Sequence, residues 1–132
     1  MIFVDIAESP LYELQQEFVL KGYDNFFPIV ADIKDNSRLG NIFQEYKPSI
    51  VFHAAAYKHV PLMENNPYEA VKVNVCGTKN VANLSVIHSV DKFVLISTDK
   101  AVNPIGKSYT KSHTIAIEGK MIINVSAAKA FK

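Results

Sequence analysis

The sequence has very little cysteine and glycine, and each shortage excludes a class of structure. Cys76 is its single cysteine, so no internal disulfide can form, and we expect a reducing compartment. No two of its five glycines are spaced as in a GxGxxG turn, the motif that holds a dinucleotide pyrophosphate at a helix N-terminus. These glycines are Gly22, Gly40, Gly77, Gly106 and Gly119.

Long apolar runs and an excess of charge of either sign are also absent. No apolar stretch reaches the roughly 18 to 20 residues of a membrane helix, and the first residues lack the pattern of a signal peptide. Fourteen basic residues balance thirteen acidic ones, for a net charge of +1. We therefore expect a cytoplasmic chain with no nucleic-acid or membrane-surface partner.

The length and composition suit one folded domain. A chain of 132 residues is long enough for one domain and too short for two. Its hydrophobic share of 48% allows a substantial core. We find no internal repeat, low-complexity tract or linker.

Short apolar segments alternate with helical patterns along the chain. Buried strands are predicted at residues 2–5, 26–30, 49–54 and 92–97. Pro28 indicates an edge position for the second strand. Helices are predicted from Ser9, from Ser37 and from Asn66-Pro67, the serines acting as N-caps.

This alternation predicts an α/β fold, a Rossmann-like parallel sheet with helices on both faces. Beyond Pro104 the pattern weakens: residues 108–118 fit either helix or loop, and residues 121–125 have the β-branched content of a strand. Ligands of such sheets bind beyond the carboxyl ends of the strands. Polar or small residues gather at all four predicted ends: Asp5, Asp32, Ala54–Ala56 and Ser97–Asp99.

Each of these ends has a functional and a plainly structural interpretation. Asp5 could accept hydrogen bonds from the ribose hydroxyls of a dinucleotide, and Asp32 could reach its adenine amino group. Either acid could equally be a turn or capping residue. Ala54, Ala55 and Ala56 would let a flat cofactor approach the backbone, or would merely pack closely. His53 is interpreted as a structural histidine, since no other ligand lies at metal-binding spacing.

The segment Ser97-Thr98-Asp99-Lys100 carries the most specific chemistry. A hydroxyl, an acid and an amine leave the strand end together, so the segment could bind a sugar hydroxyl, donate a proton and accept one. A turn with an internal ion pair is the structural alternative.

Four stretches resemble the polysaccharide-biosynthesis dehydratases, which are UDP-N-acetylglucosamine 4,6-dehydratases of the extended short-chain dehydrogenase/reductase superfamily. They are VDIAESPLYEL at 4–14, HAAAYKHVPLME at 53–64, NPYEAVKVNVCGTKNV at 66–81 and STDKAVNP at 97–104. The resemblance covers about residues 1–104, which we take as a partial NAD(P)-binding Rossmann domain. We take residues 105–132 as a divergent tail.

The resemblance implies NAD or NADP as cofactor, a UDP-sugar as substrate and a homo-oligomer. It implies that Thr98 holds the C4 oxygen of the sugar, Asp99 protonates the departing C6 hydroxyl and Lys100 removes the C5 proton. The implied cofactor-binding residues are Asp5, Asp32, Ile33, Ala54, Ala55, Ala56, Asn74 and Ser97. The implied substrate-binding residues are Lys58, His59 and Asn103.

The sequence departs from this family in two places. The family's first strand and its glycine-rich turn have no counterpart, so we expect an incomplete sheet, weak dinucleotide binding and no activity from this chain. Tyr109 and Lys111 are two residues apart, whereas the family places its tyrosine or methionine four residues before a lysine, on one helical face. Long family members also carry an N-terminal membrane region, which this sequence lacks.

Two functions therefore remain open: a nucleotide-sugar dehydratase, or a non-catalytic fragment acting as a binding or assembly module. A missing first strand would leave unpaired edges on the strands at 2–5 and 49–54. We expect the tail strand at 121–125 to fill this gap. A strand from a partner chain and direct pairing of the two edges are the alternatives.

Overall fold

A computed structural model describes residues 1–97 and 123–126 of the chain. Strands and helices alternate along it, as the sequence predicts. The strands are β1 (Ile2–Asp5), β2 (Phe27–Val30), β3 (Ile50–His53), β4 (Lys92–Ser97) and β5 (Ile123–Ser126). The helices are α1 (Glu8–Leu20), α2 (Asn36–Tyr46), α3 (Val60–Glu64), α4 (Pro67–Val71) and α5 (Thr78–Ile87). A π-helical segment, Lys72–Gly77, joins α4 to α5.

All strand pairs among the described residues are parallel, and they form two sheets. The first contains β1 and β2, and the second has the order β3-β4-β5. Phe3 lies opposite Pro28 in the first sheet, and His53 lies opposite Leu95 in the second. The hydrogen bonds from Phe27 and Ile29 point towards β1 in this register, so Pro28 occupies the outer edge, where its missing N–H costs nothing.

The tail strand does not fill the gap that we predicted for it. β5 pairs with β4, with Ile123 opposite Val94, and so lies on the far side of β4 from β3. Direct pairing of β1 with β3 is also wrong, because the two strands belong to separate sheets. The apolar, β-branched composition of the tail predicts a strand but does not specify the edge it joins.

Helices α2 and α5 cover one face of both sheets and enclose the core. Val4 and Ile29 of the first sheet and Val51 and Leu95 of the second pack against the same buried cluster. The cluster consists of Ala31, Leu39, Ile42, Phe43, Val81, Ala82, Leu84, Val90 and Phe93. One apolar core thus holds the two sheets together.

Helix α1 covers the opposite face of the first sheet. Side chains alternate between the two faces of a strand, so Phe3 points away from the core that Val4 enters. Phe3 packs edge-on against Phe18 of α1, with ring centroids 5.1 Å apart, and Phe18 also contacts Phe26. Helices therefore lie on both faces, as predicted.

The predicted serine caps are wrong. Helix α1 begins at Glu8 after Ala7, which provides no side-chain cap, and Ser9 lies within its first turn. Helix α2 is capped by Asp35, whose carboxylate accepts the Arg38 N–H at 2.9 Å. Both Asp35 and Ser37 are good capping residue types, so local composition alone did not separate them.

His53 is a buried structural residue, as its position in an apolar strand suggested. Its side chain hydrogen-bonds the hydroxyl of Thr78 at 2.8 Å and stacks on the ring of Phe93. The residue is 5% exposed, and burial lowers the pKa of its imidazole from 6.5 to about 4. The folded chain therefore holds this histidine neutral at pH values where the unfolded chain protonates it.

This difference predicts that stability falls as the pH falls from 6.5 towards 4. In that range the unfolded state binds a proton at His53 that the folded state does not, which lowers the free energy of unfolding by at most about 3 kcal/mol. Urea denaturation at a series of pH values measures the effect. His53→Gln should flatten this part of the profile, and His59→Gln, at an exposed histidine, is the matched control. Equal slopes for His53→Gln and the unaltered chain would contradict the assignment.

Candidate functional site

The loops that follow β2 and β3 are both attached to the segment 72–80, which contains the π-helical segment and the start of α5. The loop after β3 is bound through Tyr57, and the loop after β2 is bound through Ile33 and Lys34. The carboxyl ends of β2 and β3 therefore lie on one edge of the molecule. This is the edge at which parallel α/β sheets bind their ligands.

Asn74 fixes the loop after β3 through both ends of its side-chain amide. Its Oδ1 accepts the Tyr57 N–H at 2.8 Å, and its Nδ2 donates to the Tyr57 carbonyl at 3.0 Å. The side chain of Asn74, predicted from the family resemblance to contact the cofactor, is thus engaged by the backbone. We expect it to position Ala54–Ala56 rather than to contact a ligand directly.

Asn80 and Gly77 fix the loop after β2. The Asn80 Nδ2 donates to the carbonyls of Ile33 at 3.1 Å and Lys34 at 3.3 Å. A Cβ at Gly77 would lie 2.5 Å from Cδ1 of Ile33, so a larger residue there would force the Ile33 side chain to move. Sequence reasoning gave neither residue a role. Asparagine inside a helix is unfavourable unless its side chain finds a hydrogen-bond partner. Its position in a predicted helix could therefore have identified Asn80.

Asp5 ends β1 with an exposed side chain. Its Oδ1 accepts the Ala7 N–H at 2.8 Å and closes the turn into α1. Its second oxygen has no partner in the part of the chain that the structure describes. Asp5 therefore stabilises a turn, which agrees with the structural interpretation. Its second carboxylate oxygen could still accept a hydrogen bond from a ribose hydroxyl.

Asp32 also closes a turn and belongs to a chain of charges. Its Oδ1 accepts the Lys34 N–H at 2.8 Å, and its Oδ2 lies 3.4 Å from the Lys34 ammonium. That ammonium lies 3.7 Å from Glu69, which also pairs with Lys72. The Asp32 carboxylate is the main reason that the pKa of Lys34 is raised. Lys34 and Glu69 also lie at this edge of the molecule, and the sequence analysis assigned neither of them a role.

Three alanines follow the buried His53 and form an exposed surface. Ala54, Ala55 and Ala56 are all exposed, and none carries a side chain beyond Cβ. That a flat cofactor approaches the backbone here stays a prediction. Tyr57, held by Asn74, begins the next turn of the loop.

A cavity of about 470 Å³ opens beside this loop. Lys58 and His59, predicted to bind substrate, both line it. Its other walls are Ala56, Tyr57, Leu62, Met63, Asn66 and Glu69. The volume suits a small-molecule ligand, and the lining combines an apolar wall with the side chains of Lys58 and His59 and the carboxylate of Glu69.

The predicted catalytic segment begins where β4 ends. β4 runs to Ser97 and lies beside β3, with His53 opposite Leu95. Thr98, Asp99, Lys100 and Asn103 lie outside the described residues, as do Tyr109 and Lys111. Among residues 1–97, no group of three His, Cys, Asp or Glu side chains could hold a metal ion.

The chain matches the profile of a family described as "Polysaccharide biosynthesis protein" over residues 1–130. It belongs to this family. The match extends past Pro104, where the motifs quoted above end. It confirms the resemblance on which the predicted site residues rest.

The chain is similar to parts of two longer curated proteins. The capsular polysaccharide biosynthesis protein CapD of Staphylococcus aureus is 49% identical over 107 residues, which is 79% of this chain and 18% of CapD. A UDP-N-acetylglucosamine 4,6-dehydratase (inverting) of Campylobacter jejuni is 41% identical over 76 residues, 58% of this chain and 22% of that enzyme. The chain thus spans about a fifth of the length of either relative.

A solved structure confirms the Rossmann-like fold. The dTDP-4-dehydrorhamnose reductase of Bacillus anthracis, in complex with NADP, superposes with a TM-score of 0.58 and 32% identity. The superposition covers 76% of this chain and 37% of the reductase. No helix in the described part of the chain has the length and hydrophobicity needed to cross a membrane.

The approach of Ile33 to Gly77 predicts opposite outcomes for two glycine-to-alanine changes. Gly77→Ala should destabilise the fold by about 1–3 kcal/mol, because the new methyl overlaps Ile33. Gly40→Ala, inside α2, should stabilise it by about 1 kcal/mol, because its methyl would lie 3.8 Å from Leu84 and alanine favours helix. Urea denaturation measures both, and Ile33→Ala should restore part of the loss in Gly77→Ala. Equal effects at the two glycines would refute the close contact.

Proposed function

We propose that this chain provides the adenosine-binding edge and the catalytic segment of an NAD(P)-dependent UDP-N-acetylglucosamine 4,6-dehydratase in surface-polysaccharide synthesis. The supporting observation is the parallel pairing of β3 with β4. β4 ends at Ser97, two residues beyond the Leu95 that lies opposite His53, so the described end of β4 lies beside the start of the alanine surface. The predicted catalytic segment would follow from this strand end.

The described residues suit the adenosine half of a dinucleotide. Asp5 offers a carboxylate oxygen to the ribose, and the loop of Asp32 and Ile33 would lie beside the adenine. Ala54–Ala56, with Ser97 next to them, would lie along the nicotinamide half. A GxGxxG phosphate-binding turn does not occur within these 132 residues. The dinucleotide, when bound, supplies a reversible hydride acceptor for C4 of the sugar.

The roles of the catalytic residues come from the family resemblance. Thr98 would hold the C4 oxygen. Lys100 would take the C5 proton, which a C4 ketone makes acidic, and Asp99 would give its proton to the C6 hydroxyl as the C6–O bond breaks and water leaves. A lysine acting as base needs a lowered pKa, which burial in a closed site can supply.

The cavity beside the loop 56–59 supports the proposal that the chain binds a UDP-sugar substrate. Lys58 and His59 would offer positive charge or hydrogen-bond donors to the diphosphate of a UDP-sugar. Leu62 and Met63 offer an apolar wall. Asn103, which follows the catalytic segment in the sequence, would add a polar contact to the UDP-sugar.

A binding or assembly module without catalysis is the second candidate. It is favoured by the two-residue spacing of Tyr109 and Lys111, which differs from the four-residue spacing in the family. The first candidate requires that the residues at the ends of β1, β2 and β3 bind the dinucleotide cofactor, whereas the second does not.

Binding of ADP-ribose to the 132-residue chain tests the cofactor edge. Even weak binding shifts backbone amide resonances, so the affected residues can be mapped by NMR. We expect shifts at Asp5, Ala7, Asp32–Asp35 and Ala54–Ala56, and about tenfold weaker binding for Asp5→Asn, which loses a charge-assisted hydrogen bond. Glu13→Gln, at a helix position away from the strand ends, is the control. Shifts confined to other surfaces would count against the cofactor site.

Two substitutions test the proposed roles of Asp99 and Lys100. They are made in a protein preparation that has dehydratase activity on UDP-N-acetylglucosamine. Asp99→Asn and Lys100→Ala should each reduce water elimination by at least about a hundredfold, because a general acid or base is removed. Hydride transfer from C4, followed by the absorbance of the reduced cofactor, should be less affected by Asp99→Asn. Normal turnover by either variant would show that these roles are wrong.

A further inference from the structure

The turn that leads from β1 into α1 is acidic and contains no positive charge. Residues 1–20, which include β1, this turn and α1, carry four acidic side chains and no lysine, arginine or histidine. The acids are Asp5, Glu8, Glu13 and Glu17. Asp5 is the residue that the proposed function places at the adenosine ribose, so the charge around it affects which ribose the chain accepts.

The Asp5 carboxylate is held in the turn by one of its two oxygens. Its Oδ1 accepts the Ala7 N–H at 2.8 Å, which leaves Oδ2 for a ligand. A carboxylate oxygen accepts hydrogen bonds and donates none. A ribose hydroxyl can therefore donate to Oδ2, whereas a phosphate ester in place of that hydroxyl carries about two negative charges and is repelled.

The first turn of α1 is a poor site for such a phosphate. A helix N-terminus ordinarily favours anions, but Glu8 is the first residue of α1 and already places a carboxylate there. The Ser9 hydroxyl donates to Glu8 Oε2 at 3.3 Å, and Pro10 has no N–H to donate. A phosphate bound here would meet the carboxylates of both Asp5 and Glu8.

The neighbouring loop provides no uncompensated base. β2 is the strand paired with β1, and Lys34 is the only basic residue in the loop 31–35 that follows it. The Lys34 ammonium lies 3.4 Å from Asp32 and 3.7 Å from Glu69 of α4, so two carboxylates already compensate its charge. The one arginine of the chain, Arg38, belongs to α2, on the opposite face of the first sheet from α1.

We propose that the turn 5–8 selects NAD over NADP, by accepting the 2′-hydroxyl of the adenosine ribose and repelling a 2′-phosphate. The inference rests on the proposed function, because it requires that Asp5 meets the ribose of a dinucleotide. In dinucleotide-binding sheets an acid at this strand end binds the 2′-hydroxyl, whereas a nearby arginine accommodates the 2′-phosphate. This turn has the acid, a second acid at Glu8 and no arginine.

The proposal is tested with two ligands that differ only in the 2′-phosphate, ADP-ribose and 2′-phospho-ADP-ribose. Each is titrated into the whole 132-residue chain, and its dissociation constant is taken from the backbone amide shifts of residues 5–9. We expect ADP-ribose to bind at least about tenfold more tightly. Because salt screens repulsion between exposed charges, this ratio should shrink as the salt concentration rises from about 0.05 M to about 0.5 M.

Two variants assign the selection to the turn. Asp5→Asn keeps an Oδ1 for the Ala7 N–H but loses the charge, so the two ligands should bind within about threefold of each other. Adding Ile6→Arg, at a residue that is 59% exposed, should make 2′-phospho-ADP-ribose the tighter ligand, because a guanidinium binds phosphate with two hydrogen bonds. Val19→Arg, at an exposed position on α1, adds the same charge away from the turn and should leave the ratio unchanged.

The possible failures of this proposal and of the proposed function are distinguishable. Equal binding of the two ligands by the unaltered chain, or tighter binding of 2′-phospho-ADP-ribose, would overturn the selection and leave the cofactor edge in place. Shifts from neither ligand at residues 5–9 would overturn both proposals, because Asp5 would then meet no ribose. An unchanged ratio in a folded Asp5→Asn variant, with folding checked by circular dichroism, would also overturn the selection by this turn.

Discussion

The segment 72–80 positions the loops after β2 and β3, because the backbone of each loop is hydrogen-bonded to it. Asn74 binds the backbone of the loop after β3, and Asn80 binds the backbone of the loop after β2. Gly77 lies between them and lets Ile33 approach. The loop after β2 and the alanine surface after β3 are thus both held by one helical element.

The π-helical segment Lys72–Gly77 gives this element its shape. A π-helical turn contains one residue more than an α-helical turn, so it rotates the residues after it relative to those before it. Asn74 lies within the segment and Asn80 follows it in α5. The two amides reach loops that follow different strands.

The sequence predicted the strands better than it predicted their neighbours. β1 and β4 occur where apolar runs predicted them, because burial on a parallel sheet requires such runs. The predicted position of β5 was wrong, because a β-branched segment can pair with any free strand edge. Asn80 and Glu69 were not assigned roles, since each acts on a loop distant in sequence. Asp32 and Ala54–Ala56 do reach one edge, whereas the roles of Thr98 to Lys100 stay predictions.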